Sequence, residues 1–146
     1  SLHAELQEIT HNLVGIIRTG SELKEAIEKI AEIRKRSANV SVAGGRKFNP
    51  GFHLAFDLDN MLLVAESTAK SAISREESRG GHTRDDFPQL DNKWRQINHI
   101  SSFDGKEVSV RKQDLPALPK ELFDLFDVHE LEKYMTPEEI TKGGAR

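Results

Sequence analysis

This 146-residue sequence has no cysteine, which excludes disulfide bonds and thiolate metal sites. Its apolar runs are only a few residues long, far short of the ~20 residues that a membrane-spanning helix needs. The 24 acidic residues outnumber the 21 Lys and Arg, so the charge gives no reason to expect nucleic acid. We therefore expect one cytoplasmic domain that neither binds nucleic acid nor inserts directly into a membrane.

The common catalytic signatures are missing as well. The sequence has no dinucleotide-binding glycine motif, no phosphate-loop lysine and no nucleophile elbow. Histidines occur at positions 3, 11, 53, 82, 99 and 129, and none has the spacing of a helical zinc site. We therefore assign no catalytic, cofactor-binding or metal-ligating residue from these patterns.

Helical periodicity is the main feature that the sequence does contain. Apolar residues recur at steps of three and four in successive segments, and in the first segment this face extends to Ile16 and Ile17. Thr19 and Glu22 have the spacing of a capping box, which marks the start of a second helix. We predict helices over 2–18, 21–38 and 53–78.

The helical pattern weakens after Pro88. Trp94 lies in a segment that predicts a short helical turn. The dipeptide Asp104-Gly105 separates segments 97–103 and 106–112, and in the second segment apolar and polar residues alternate. This arrangement is typical of a hairpin with a two-residue turn.

The acidic segment after Pro119 has a helical pattern again. Together these features predict a mainly α fold, because three helices with short joints favour an antiparallel three-helix bundle. We predict that this bundle covers 1–88. A short β-hairpin and an irregular or helical C-terminal tail over 89–146 would extend the same domain.

Charge is concentrated just after the third predicted helix, in the stretch ESRGGHTRDDFP over 77–88, where Gly80 or Gly81 is expected to end the helix in a left-handed conformation. His82, Asp85 and Asp86 form the one combination in it that resembles a metal or acid–base site. The arginines beside them would repel a cation, however. We interpret this stretch as an ion-pair and helix-capping cluster, in which His82 is hydrogen-bonded. Arg79 and Arg84 are expected to pair with nearby acids, among them Glu77, Asp85 and Asp86.

A nucleophilic Ser78 with His82 as its base is the other chemical interpretation of this stretch. A spacing of four residues across a helix end does not fix the geometry of a catalytic triad. The interpretation therefore gains no support from the sequence.

A resemblance to a known family rests on two of these segments. The segment DLDNM over 57–61, followed at helical distance by SREESRGGHTRDDFP over 74–88, resembles the C-terminal domain of succinate dehydrogenase and fumarate reductase flavoprotein subunits. The family has a leucine-aspartate-asparagine helix start and then an E-S-R-G-x-H-x-R-x-D-[FY]-P turn. This sequence matches every specified position, and the resemblance runs from about Asn12 to Arg111.

The resemblance implies a parent enzyme that interconverts succinate and fumarate on FAD. The family's flavin-binding and substrate-binding residues lie N-terminal to the matched portion, so none is carried onto this sequence. The resemblance implies a domain that packs against its own FAD-binding domain, in a complex with an iron–sulfur subunit at the inner membrane face. We expect this domain to hold no cofactor and to be inactive alone. The interdomain clamp would comprise Glu77, Ser78, Arg79, His82, Arg84 and Asp86.

Two alternatives remain open from the sequence. One is the same domain from an L-aspartate oxidase, and the other is a free-standing helical adaptor that binds a partner through Arg79, His82 and Arg84. The chain opens with Ser1 already inside a helical pattern. This opening leads us to expect a piece of a longer polypeptide.

Overall fold

The computed structural model describes residues 1–143, and their fold is mainly helical. In chain order the elements are α1 (Leu2–Leu13), β1 (Ile17–Arg18), α2 (Gly20–Ser37), α3 (Pro50–Ser74), β2 (Thr83–Arg84), α4 (Asn92–Arg95), β3 (Ile97–Phe103), β4 (Val108–Asp114), α5 (Lys120–Phe123), α6 (Val128–Leu131) and α7 (Pro137–Thr141). The strands form two small sheets, one of β1 with β2 and one of β3 with β4. The predicted helical domain with a small hairpin is confirmed.

The hydrophobic core lies among α1, α2 and α3, which contact one another. Its buried members are Leu6, Ile9, Ala26, Ile30, Ile33, Leu58, Leu62, Ala65 and Ala69. Each large aliphatic side chain removed from water contributes roughly 1.5–3 kcal/mol. The small alanines on α3 let its neighbours approach closely, so this core fixes the helices whose ends carry the charged cluster.

The first helix is shorter than predicted. It ends at Leu13 instead of residue 18, and Ile16 and Ile17, which we placed on its buried face, are exposed. A Cβ on Gly15 would lie 2.9 Å from the carbonyl oxygen of His11, so only glycine permits this close turn of the backbone. The chain beyond it is extended.

The extended segment pairs with a distant part of the chain. Strand β1 runs parallel to β2, with Ile17 opposite Thr83 and Arg18 opposite Arg84. The N–H of Thr83 donates to the carbonyl of Ile16 at 3.0 Å, and that of Asp85 donates to Arg18 at 3.1 Å. The backbone hydrogen bonds that a longer helix would have made are made here across the two strands.

The second and third helices differ from prediction mainly at their ends. Helix α2 begins at Gly20, directly after the N-cap Thr19, and the predicted Thr19–Glu22 capping box is confirmed. Helix α3 begins at Pro50, because Asn49 caps it and proline suits the first helical position. Its end at Ser74 corrects the predicted end at residue 78, and the reason lies in the charged cluster described below.

The hairpin is confirmed, but its turn is longer than predicted. The second strand starts at Val108, not at Lys106. The Asp104 carboxylate accepts the backbone N–H groups of Lys106 and Glu107, each at 2.8 Å, and so keeps both residues in the turn. Gly105 has a φ of 96°, a conformation that favours glycine.

The chain divides into two compact units, Ser1–Gln113 and Asp114–Arg146. The second unit contains short helices, as the predicted tail required, and Phe123 and Leu131 are buried. Residues 144–146 of the predicted tail lie outside the described residues. The predicted domain boundary after residue 88 stays a prediction. Within residues 1–143, no helix is both long enough and apolar enough to span a membrane.

Candidate functional site

The charged stretch forms a tight turn directly after α3. The backbone N–H of Arg79 donates to the carbonyl of His82 at 2.8 Å, and the reverse bond is 3.0 Å long. Gly80 has a φ of 57°, the left-handed conformation that the turn needs. Gly80 therefore shapes the turn after the helix and does not cap the helix itself, which corrects the prediction.

Glu77 lies at the centre of one half of the cluster, and its side chain is 0% exposed. Its carboxylate pairs with Arg75 and accepts two bonds from Arg79, each at 3.0 Å. The backbone N–H of Asp91 donates a further bond at 3.1 Å. Burial alone would raise the pKa of Glu77, but the bonds from Arg79, Asp91 and Arg75 outweigh burial and hold the pKa below its ordinary value.

Arg84 lies at the centre of the other half and is 2% exposed. Its Nη1 donates to the carbonyl oxygens of Ala72, Ile73 and Arg75 at 3.1, 3.1 and 3.3 Å. These are carbonyls at the C-terminal end of α3, which need a donor once the helix stops. The guanidinium of Arg84 therefore caps α3, and this explains why the helix ends at Ser74.

Asp86 completes this half of the cluster. Its Oδ1 and Oδ2 accept from Nε and Nη2 of Arg84, each at 2.7 Å, and Oδ2 also accepts the N–H of Gly20 at 2.9 Å. Gly20 is the first residue of α2, where a carboxylate is favourable. The hydrogen bond from Arg84, aided by Gly20, lowers the pKa of Asp86 from 3.8 to about 2.

The side chain of Ser78 bonds to the backbone of the turn. Its Oγ accepts the N–H of Arg84 at 2.9 Å and lies 2.9 Å from the carbonyl oxygen of Phe87, to which it donates. His82 uses its Nε2 to bond the carbonyl oxygen of Arg75 at 3.0 Å. The hydroxyl and the imidazole therefore have separate partners, and the structure does not assemble them as a nucleophile and its base.

His82 carries the proton on Nε2 when it is neutral, because a carbonyl oxygen can only accept. Burial lowers the pKa of His82, and the charges of Arg18, Arg84 and Arg75 lower it further against the bond to the Arg75 carbonyl. The ring is therefore held as a neutral donor, as expected of a hydrogen-bonded histidine.

The candidate metal cluster is not assembled. Asp86 is bound to Arg84, His82 faces the carbonyl of Arg75, and Asp85 makes no ion pair within residues 1–143. In the same part of the chain, no group of three or more His, Cys, Asp or Glu residues is placed to hold a metal ion. Asp85, which we expected among the partners of the arginines, contributes only its backbone N–H to Arg18.

Sequence reasoning missed Arg18 as a member of the site. Arg18 is buried beside Arg84 because β1 and β2 pair, and its Nη1 donates to the carbonyl of Val14 at 3.3 Å. Burial lowers the pKa of Arg18, and the charge of Arg84 lowers it further. No local signal links residues so far apart in the sequence.

The arrangement is a helical domain whose charged turn joins the end of α3 to the start of α2. Residues 3–134 match the family described as fumarate reductase flavoprotein C-term. The chain belongs to this family. The alternatives of an L-aspartate oxidase domain and a free-standing adaptor are not favoured.

The similar proteins point in the same direction. A chain of the Mycobacterium smegmatis Sdh1 complex in its apo form is 47% identical, with a TM-score of 0.85, and the match covers 95% of this chain and 24% of that one. A chain of a quinol fumarate reductase from E. coli is 26% identical, with a TM-score of 0.70, covering 80% and 22%. The fumarate reductase flavoprotein subunit of Helicobacter pylori strain J99 is 32% identical over 127 residues, 85% of this chain and 17% of its own length.

Proposed function

We propose that this chain is the C-terminal helical domain of a longer flavoprotein that interconverts succinate and fumarate on FAD. The observation that carries the proposal is the family match over residues 3–134. The chain spans only 17% of the Helicobacter pylori relative, so the parent's chemistry resides in the larger, unmatched part. In this proposal the chain holds no cofactor and is inactive alone.

The proposed architecture is an antiparallel three-helix bundle that docks on the FAD-binding domain. Support comes from the shared core of α1, α2 and α3 and from an apolar groove of about 580 Å3 between α1 and α3. Leu6, Met61 and Val64 are among its lining residues, and Val64 is 67% exposed. A groove of this kind is typical of a surface that another body covers.

The charged turn is proposed to set the angle between the two domains. Glu77 and Arg84 are buried and direct their hydrogen bonds into this chain, which makes the turn rigid. The side chains of Arg79 and Asp86 are 32% and 36% exposed, and His82 lines an open pocket, so these three side chains are within reach of a second body. In the predicted six-residue clamp, Glu77 and Arg84 therefore hold the turn rigid, while more exposed side chains are available for contact.

The parent is further proposed to assemble with an iron–sulfur subunit and to lie peripherally on the cytoplasmic face of the inner membrane. The support is the similarity to chains of the Mycobacterium smegmatis and E. coli complexes. Copurification of an iron–sulfur subunit with the longer polypeptide, after release from membranes without detergent, is the expected result. Recovery of the flavoprotein alone would contradict the assembly.

Docking is tested by Val64→Lys in the longer polypeptide that contains this chain. A charge in the groove should lower the recovery of folded, FAD-containing protein severalfold, because a lysine ammonium is costly to bury unpaired. In the 146-residue chain alone the same change should shift stability by no more than about 0.5 kcal/mol, as for other exposed positions.

The matched control is Val40→Lys, since Val40 is exposed and does not line the groove. It should leave FAD recovery in the longer polypeptide unchanged. Equal recovery for both variants and the unsubstituted protein would contradict docking through the groove.

A further inference from the structure

An open pocket of about 400 Å3 lies beside the C-terminal half of α3 and shares Thr68 with the apolar groove. Two guanidinium groups, two imidazoles and several hydroxyls contribute to its lining. Those that matter for its chemistry are Arg18, Arg75, His82, His99, Ser71 and Ser101. No carboxylate is among the described residues that line it. The pocket therefore presents hydrogen-bond donors and positive charge without an internal counter-charge.

The arginines around the pocket differ in how they are neutralised. Arg75 pairs with Glu77, and Arg84, which is not among the lining residues, pairs with Asp86. Arg18 has no ion pair within residues 1–143, although it is only 8% exposed. Its Nε is buried and has no hydrogen-bond partner in this part of the chain. A buried guanidinium without a counter-ion is costly, and an anion would offset that cost.

Burial and this positive charge together lower the pKa values of the two histidines. Burial lowers the pKa of His99, and Arg75, Lys112 and His82 lower it further. The pKa of His82 is lowered in the same way, with Arg18 among the causes. The Nε2 atoms of both rings are already engaged, by the Arg75 carbonyl and by Ser74 Oγ at 3.1 Å. Within residues 1–143 neither Nδ1 makes a hydrogen bond, and each becomes a donor when its ring is protonated.

We propose that this pocket is a binding site for a carboxylate group, with Arg18 as its principal donor and His82, His99 and Ser71 as supporting groups. A guanidinium binds a planar carboxylate through two parallel bonds, which makes this the oxyanion class that the pocket suits best. The group belongs either to a free small carboxylate or to an acidic side chain of the longer polypeptide. The site itself rests on the pocket, and only the second of these sources rests on the proposed function.

Acetate is the probe, because it carries the group that both sources share. The apparent pKa of His82 and of His99 is measured by NMR in the 146-residue chain, in acetate and in chloride at equal ionic strength. An anion that binds the protonated form about threefold more tightly raises the pKa by about half a unit. We expect a rise of at least this size for both rings. The exposed His129, outside the pocket, serves as the internal reference.

Two variants test the donors. Arg18→Gln should remove most of the acetate effect, and Ser71→Ala, a small change with little risk to folding, should weaken acetate binding severalfold. Far-UV circular dichroism confirms that each variant is folded.

The same histidine titrations, made in the longer polypeptide, decide the source of the carboxylate. If both histidines already have raised pKa values there and acetate changes nothing, the group is a side chain of that polypeptide. If acetate raises the pKa values in both proteins, the site takes a free carboxylate. Titrations that are identical in acetate and chloride, with low pKa values in both proteins, would overturn the proposal.

Discussion

Arg84 and Asp86 form a two-point ion pair with both bonds at 2.7 Å, and this pair joins two helix ends that are distant in the sequence. Through Nη1, Arg84 holds the last carbonyls of α3, and through Oδ2, Asp86 holds the N–H of Gly20 at the start of α2. The charges are placed where the helix ends lack hydrogen-bond partners. The charged turn is thus first of all a device for fixing the helices relative to one another.

The fit of this pair against Gly20 is tight, so Gly20→Ala should displace it. A Cβ at this position would lie 3.0 Å from Oδ2 of Asp86 and 3.1 Å from Nη2 of Arg84. We expect a net loss of about 1 kcal/mol in the free energy of unfolding, measured with urea, because displacing the pair costs more than alanine adds to the helix.

Gly81→Ala is the matched control, since a Cβ there meets nothing within 4 Å and φ is not positive. It should change stability by less than about 0.5 kcal/mol. Equal effects of the two substitutions would show that the space beside Gly20 is not limiting.

The Asp86 carboxylate should make stability depend on pH in acid. Its folded pKa of about 2 lies below the ordinary value of 3.8, so the unfolded chain binds this proton more readily. The stabilisation is therefore complete above about pH 5 and is lost as the pH falls from there to about 2. Asp86→Asn should be less stable than the unsubstituted chain at neutral pH.

The difference between the two proteins should shrink steadily below pH 4. Unfolding in urea at a series of pH values measures it, and the contribution of Glu77, whose pKa is also lowered, is present in both proteins and cancels. A difference that stays constant down to pH 2 would show that the carboxylate is not selectively stabilised in the folded chain.

Glu77→Gln should be among the most destabilising single changes in the cluster. It leaves Arg75 and Arg79 without their shared carboxylate, and the side chains of these arginines are mostly buried. Removing one partner of a buried ion pair costs about 3–5 kcal/mol. Thermal or urea unfolding of the chain measures the loss.

The neighbouring Glu76 offers a control of identical chemistry. It is exposed, so Glu76→Gln should alter stability by less than about 0.5 kcal/mol. Similar losses for both substitutions would mean that the buried pairs contribute nothing specific.

Local charge balance predicts that Arg79 and Arg84 pair with nearby acids, but it does not predict which acid each arginine takes. Glu77 with Arg79, and Arg84 with Asp86, are each two residues apart, and in extended chain such side chains point to the same side. The same rule explains why Asp85, between Arg84 and Asp86, is not paired. The period of two also continues back to Arg75, a signal that the helix does not extend through this region.

The contribution of Arg18 could not be predicted. The Gly20–Asp86 bond joins positions 66 apart, and the β1–β2 pairing that buries Arg18 involves strands of only two residues. Such short strands carry no periodicity to detect. The apolar spacing predicts a continuous helix through Ile17, because it does not reveal that Gly15 turns the chain.

Arg79 separates the two roles of the turn, one inside this chain and one toward a second domain. Its side chain is 32% exposed, but its partner Glu77 is 0% exposed, so the pair is not an ordinary surface ion pair. In the 146-residue chain, Arg79→Ala should cost about 1–3 kcal/mol, because the buried carboxylate loses two of its donors and keeps Arg75. This is more than the 0–1 kcal/mol typical of an exposed pair.

In the longer polypeptide, Arg79→Ala should lower the fraction of protein that retains FAD or assembles, while turnover per bound flavin stays close to that of the unsubstituted enzyme. The reason is that an altered turn changes how the domains meet and leaves the reacting groups, which lie outside this chain in our proposal, intact. Flavin absorbance, gel filtration and succinate-dependent dye reduction on the same samples measure the three quantities. Arg111→Ala, on an exposed strand position, is the control and should leave all three unchanged. Loss of turnover with normal flavin content and assembly would instead give Arg79 a direct part in the reaction.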